Sequence, residues 1–282
     1  MIKVVCEDQQ GRQIAFEYKG SPLALVDLDG FSNAEYTVNT SQSSGQDGET
    51  YNGETANKRN PVITAEILSD FQTQRDKLYA FFQPRTPGTV YKYEGTAVRK
   101  ATYYVEKIDI TESGPTRPVT ISLICPDPLF YDLSEDITQL AAWEGCIIFP
   151  MRIKNPFAVT KKVNSLIGNV NNKSNVTQGL TIKFSATGTV VNPSLYDMNR
   201  LETMQINTTM HSGDVIIVTT GQNNKRVQLV SDGTASNISN LMNYPPVWLQ
   251  AYPGDNLFRY NAASGIDNLS VSILHTQAYW GA

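Results

Sequence analysis

Short stretches in which apolar and polar residues alternate run through most of this sequence, and turn residues interrupt them about every 10–12 residues. Alternation has a period of two, so such a stretch buries one face as a strand and cannot bury a face as a helix. Ile2, Val4 and Cys6 face one way, with Lys3 and Val5 opposite; Ile14, Phe16 and Tyr18 repeat the pattern beyond an Asp8–Gly11 hairpin loop. Leu23–Leu28, closed by Asp29-Gly30, is followed by Val62–Leu68, Val90–Tyr93, Ala97–Lys100 and Thr102–Ile110. Gly114-Pro115 turns the chain into Val119–Cys125, which Pro126-Asp127-Pro128 ends. Leu180, Ile182, Phe184 and Ala186 open a more polar half that runs on as strands to Leu269–His275. No repeat at a period of 20–50 residues is visible. The chain is predicted to be mainly β.

Two segments depart from that rhythm. Ser69 as N-cap with Gln72 three residues on reads as a capping box, and Phe71, Leu78, Tyr79 and Phe82 then fall at helical spacing until Pro84. This predicts one amphipathic helix whose aromatic and aliphatic stripe packs on a sheet. Weaker helical character is expected near Ile137–Trp143, inside a connection at 133–145. Asn39 to Asn60 has one aromatic, Tyr51, and no Val, Ile, Leu, Met or Phe. It cannot bury a face and is expected to be an extended loop or arm, either contacting a partner or simply solvated.

Composition narrows the function. Charged residues make up 18% of the 282, and the formal charge is −4. Without a basic surplus there is no electrostatic footprint for nucleic acid. The most apolar runs, such as Val215–Val218 and Cys146–Met151, fall far short of the roughly 18 residues that cross a bilayer. The first residues show no apolar h-region and no cleavage site, so no secretory signal is expected. Cys6, Cys125 and Cys146 are unclustered and read as free thiols, neither a disulfide framework nor a zinc site.

Catalytic patterns are missing. His211 precedes a Ser212-Gly213-Asp214 turn and His275 lies in the last long strand, with no second His or Cys at metal spacing and no Gly-x-Ser-x-Gly elbow. Asp27-Leu28-Asp29-Gly30 recurs in phosphatase and calcium loops, but one helix cannot build the first fold. The second needs Gly at its sixth position and Glu at its twelfth, where Val38 stands. A turn is the better reading. Asp127, Asp132, Glu135 and Asp136 are acids that nothing ranks as a glycosidase pair. No P-loop or dinucleotide fingerprint is present. No catalytic, cofactor-binding or metal-binding residue, and no cofactor, is therefore predicted.

One ordered set of motifs points further. Val119–Tyr131 reads VTISLICPDPLFY, downstream of the helical Arg75-Asp76-Lys77-Leu78 and Pro84. Asn192-Pro193, Gly213-Asp214-Val215-Ile216-Ile217 and Trp248-Leu249 before Pro253-Gly254-Asp255-Asn256 follow. Over essentially the whole chain this order resembles the distal tail protein (Dit) family of long-tailed bacteriophages.

The resemblance implies two domains. The first, 1–140, would be a ring-forming β domain with one helix and a long arm at about 39–60. The second, 141–282, would be a galectin-like β-sandwich. It implies a structural, non-enzymatic hub at the virion tail tip, made in the host bacterial cytoplasm. Its partners would be five further copies in a homo-hexamer, the tail tube protein, a tail-associated or tail-spike protein and a receptor-binding protein, without nucleic acid or membrane binding. The galectin sugar motif His-x-Asn-x-Arg is absent, since Ser212-Gly213-Asp214 follows His211, and Trp248 is expected in the sandwich core. Two alternatives stay open: a carbohydrate-binding protein that meets the host cell wall through its C-terminal sandwich, and a cell-wall hydrolase, which would need a catalytic dyad.

Overall fold

A computed structural model of the chain describes residues 2–45, 47–112, 114, 116–140, 142–145, 160–163, 166–222 and 224–282, the side chains of 142–145 and 160–163 excepted. Cys146, the run Cys146–Met151 and part of the Gly114-Pro115 turn lie outside these residues. The described chain is mainly β, as predicted, and forms two compact units: Met1–Leu133 with Ala278–Ala282, and Ser134–Gln277.

In the first unit the strands are β1 (Ile2–Glu7), β2 (Gln13–Glu17), β3 (Leu23–Asp29), β4 (Tyr36–Ser41), β5 (Thr50–Ala56), β6 (Val62–Ile67), β7 (Pro87–Glu94), β8 (Ala97–Ile110), β9 (Pro118–Ile124) and β10 (Phe130–Asp132). Ladders join β8, β7, β1, β2, β3, β6 and β9 in that order, and β9 pairs back onto β8, closing a barrel. Closure depends on the length of β8. Its first half pairs with β7 and its second with β9, and a bulge between Val105 and Lys107 bends it round the corner. Alternation does the rest: in β6 and β9 every second residue, Ile63, Ala65, Ile67, Val119, Ile121 and Leu123, points into the core.

The predicted helix is α1 (Phe71–Phe81), but its start and its stripe differ from the sequence reading. Asp70, not Ser69, occupies the N-cap position. It sits in the left-handed region at φ 48° and makes no side-chain cap, so the capping box does not form. Leu78, Phe81 and Phe82 are the residues that seal the barrel, with Phe82 6.4 Å from the rings of both Phe16 and Tyr103. These three are spaced i, i+3, i+4 and share a face; Tyr79 lies off it and is exposed.

Ser134–Gln277 builds two main sheets. Asp136–Gln139, Leu269–His275, Thr181–Ala186, Val215–Gly221, Asn224–Ser231 and Thr234–Asn237 form one; Ile167–Asn172, Gly254–Asn261, Ser194–Asp197 and Glu202–Gln205 form the other. Ile182, Phe184, Ile216 and Ile273 from the first and Val170, Leu195, Phe258 and Tyr260 from the second share a single core, which is sandwich packing. Trp248 packs half-buried at the margin of that core, with the Lys225 ammonium 5.8 Å from its ring centre. The region expected to have helical character near Ile137–Trp143 is extended instead. Ile137 faces Leu274 across a ladder and Ala142–Gly145 pairs with Thr160–Val163. Pairing with an available strand outweighs the local tendency of so short a segment.

The sequence reading carries the second region through residue 282. In the structure Ala278–Tyr279 pairs with β10, so residues 278–282 belong to the first unit.

Candidate functional site

The segment predicted as a loop or arm is a β-hairpin. β4 and β5 pair from Tyr36↔Ala56 to Ser41↔Thr50, with an irregularity that leaves Asn52 unmatched beside Gly53. All six residues of β4 are exposed, and β5 buries none. Its apolar side chains therefore face solvent: Tyr36 is 39%, Val38 54% and Tyr51 60% exposed. Asp47, Glu49 and Glu54 are its charges, and no Lys or Arg lies between 36 and 56. Its base is fastened: Asn57 N–H donates to the Glu35 carbonyl at 2.8 Å, and the Thr37 hydroxyl to Asn57 Oδ1 at 2.9 Å.

Just past the base sits a residue that the sequence reading missed. Arg59 is 3% exposed although its neighbours in sequence are polar. Its backbone bridges Cys125, each N–H donating to the other's carbonyl at 2.9 and 2.8 Å. Its guanidinium donates to the carbonyls of Pro128 (3.0 and 2.8 Å), Gly30 (2.9 Å), Ser32 and Trp280. The guanidinium carbon lies 4.7 Å from the centre of the Phe130 ring, which stacks on Phe31 at 5.9 Å. Burial lowers the Arg59 pKa, but a guanidinium stays charged in proteins. One cation thus ties together the loop before the arm, the Cys-Pro-Asp-Pro segment and residues 278–282 (by backbone acceptors alone).

Gly30 is part of this node and must be glycine. Its φ is +71°, and a Cβ there would lie 2.1 Å from the Asn60 carbonyl oxygen. Gly30→Ala is expected to cost about 2 kcal/mol from strain and overpacking. A chemical-denaturation midpoint unchanged from wild type would show that the loop moves aside freely.

Of the residues weighed for chemistry, His275 and Asp136 come together, Nε2 to Oδ2 at 3.8 Å with Gln277 Nε2 against both, and the rest make separate local contacts. His211 is an exposed turn residue whose Nδ1 is 3.7 Å from Asp214 Oδ2, while its backbone N–H donates to that carboxylate at 2.8 Å. His275 is buried, with Nε2 3.3 Å from the Asn171 carbonyl and 3.1 Å from Gln277 Nε2. The segment predicted as a turn is strand through Asp29, with Asp27, Leu28 and Asp29 paired to β6, and the chain bends only from Gly30, whose N–H donates to the Asp29 carboxylate at 2.7 Å. Asp127 accepts the Tyr131 hydroxyl at 2.7 Å, Asp132 the Tyr279 hydroxyl at 3.1 Å and Asp136 the Gln277 amide at 2.9 Å; Glu135 is exposed. A shallow cavity of about 250 Å³ beside Asp127 is lined by Tyr91, Lys100 and Tyr131. Cys6 and Cys125 are free and buried, and burial pushes the Cys125 thiol up to about 12, out of thiolate range at neutral pH. Among the described residues, no group of three His, Cys, Asp or Glu side chains could hold a metal ion, and no helix is long and apolar enough to cross a membrane.

Comparison with known proteins points the same way as the arm. Residues 16–125, which contain the arm and Arg59, match the family model of the phage tail protein RIFT-related domain. No curated protein matches the sequence. The chain is similar to the crystal structure of the phage SPP1 Dit protein, described as a paradigm of hub adsorption apparatus in phages that infect Gram-positive bacteria. That likeness has a TM-score of 0.68 at 12% identity and covers 98% of each chain. It is also similar to the phage p2 baseplate in its activated conformation with calcium, at a TM-score of 0.51, 11% identity and 100% of each chain. At such identities the likeness is one of fold.

Proposed function

We propose that this chain, whose residues 16–125 belong to the phage tail protein RIFT-related domain family and whose fold is that of a distal tail protein, is the structural hub of a tail tip. The family match over 16–125 and the fold support a structural role in a phage tail or baseplate. Beyond it, six copies close a ring that joins the tail tube to tail-associated and receptor-binding proteins. The observation that carries this reading is the arm, a strand pair presented to solvent inside the region that matches the family.

The physics of a ring suits it. A cyclic oligomer needs one heterologous interface that closes on itself. Each copy offers unpaired strand edges on the arm, which supply backbone hydrogen bonds, and Val38 and Tyr51, which supply apolar area. Weak contacts repeated round a ring add up without large complementary charge. The sandwich of Ser134–Gln277 is the galectin-like part, which holds baseplate partners. No catalytic step is assigned to the chain.

Light scattering behind size exclusion, with negative-stain imaging, tests the reading. Rings of about six copies are expected, assembling as concentration rises. A protein that stays monomeric at every concentration and binds cell-wall glycans through 140–282 overturns the hub and favours a carbohydrate-binding protein.

A further inference from the structure

A two-stranded hairpin is marginal by itself in water, so the direction and pairing of the arm depend on what holds its base. Residues 278–282 do much of the holding. The Tyr36 ring, at the start of β4, meets the Trp280 ring edge to face at 5.4 Å and 61°. The Trp280 carbonyl accepts from Arg59, three residues beyond the end of β5. Trp280 thus touches the first leg of the arm through its ring and the chain just beyond the second leg through its backbone.

The strap that carries Trp280 is itself well fastened. Ala278 and Tyr279 pair with β10, and the Arg99 guanidinium lies 3.9 Å from the centre of the Tyr279 ring. Arg99 and Lys92 donate to the carbonyls of Gly281 and Ala282, and Ala282 N–H donates to the Phe31 carbonyl at 2.9 Å. So many polar contacts at the end of an edge strand fix one position for the indole.

We propose that Trp280 is the positioning residue of the arm: the strap 278–282 sets the arm's direction and stabilises its pairing. That the arm then serves assembly rests on the hub reading above; that Trp280 positions the arm does not. The pairwise aromatic contact is worth enough to change local opening of the hairpin by about three- to tenfold.

Hydrogen exchange on the full-length chain tests this. Trp280→Ala is expected to speed amide exchange in 36–41 and 50–56 by about three- to tenfold, with β3, β6 and β9 unchanged. Trp280→Phe, which keeps an aromatic face for Tyr36, restores most of the protection. Faster exchange across the whole barrel, or no rescue by Phe, reduces Trp280 to an ordinary stabilising residue and overturns the proposal, as does an unchanged arm. If the arm loosens and is rescued by Phe while wild-type protein forms no ring, the positioning role stands and the hub reading falls.

Discussion

Arg59→Met is expected to lower the melting temperature by about 10 °C. The side chains are similar in volume, so the loss is one of donors. Four backbone carbonyls, those of Gly30, Ser32, Pro128 and Trp280, lose their partner together. A carbonyl left buried without a donor costs about 1 kcal/mol or more, which puts the gross penalty near 4 kcal/mol. Removing a cation that burial disfavours offsets part of it, and about 3 kcal/mol remains. For a domain of this size that is about 10 °C. Arg59→Lys separates charge from geometry. Lys keeps the charge but has no planar fork, and cannot reach acceptors on three separate loops, so it is expected to fall about midway. Thermal unfolding by circular dichroism decides; a drop of less than about 2 °C in Arg59→Met means that the carbonyls are satisfied without the guanidinium.

The importance of Arg59 is not legible in the sequence, and the reason is physical. Its ligands are backbone carbonyls, which every residue carries, so no pattern of side chains announces them. It sits in Asn57-Lys58-Arg59-Asn60, where composition says solvent. Strand faces are legible because alternation is imposed by the pleat itself: Ile63, Ala65 and Ile67 alternate with Thr64 and Glu66, and that spacing alone assigns them inward. The exposure of most of the arm is equally legible, since residues 39–56 hold no Val, Ile, Leu, Met or Phe with which to enter a core. Its pairing as a hairpin is not, because Thr, Asn and Gly bury nothing in either conformation.

The helix shows the same limit more finely. Its existence is visible in the sequence and its stripe only in part, since Leu78 and Phe82 point inward as read while Phe81 replaces Tyr79, and its cap depends on one dihedral angle, the left-handed φ of Asp70. The return of residues 278–282 is a long-range pairing with β10, of the kind that sequence leaves open. The Tyr279-Trp280 pair is its one signal.

Removing the arm is expected to abolish ring formation and leave the barrel folded. The cut can be placed by register: Thr37 pairs with Thr55, so replacing 38–54 by Asn-Gly closes the shortened hairpin with a two-residue turn. Nothing that the barrel core or the Arg59 node uses is lost, because the node takes its carbonyls from Gly30, Ser32, Pro128 and Trp280. The melting temperature is therefore expected to stay within about 3 °C of wild type. What is lost is Val38 and Tyr51, each worth about 1.5–3 kcal/mol when buried against a neighbour, and the strand edges of the arm. A loss of about 3 kcal/mol or more per contact weakens each by more than about a hundredfold. In a ring every copy gives one arm and receives one, so every interface is weakened at once and a closed species has no intact contact left on which to nucleate. Size exclusion with light scattering should show rings for the full chain and monomers for the shortened one at the same concentration. Rings of unchanged size from the shortened chain would place the interface on the barrel itself and leave the arm free for a different neighbour in the tail.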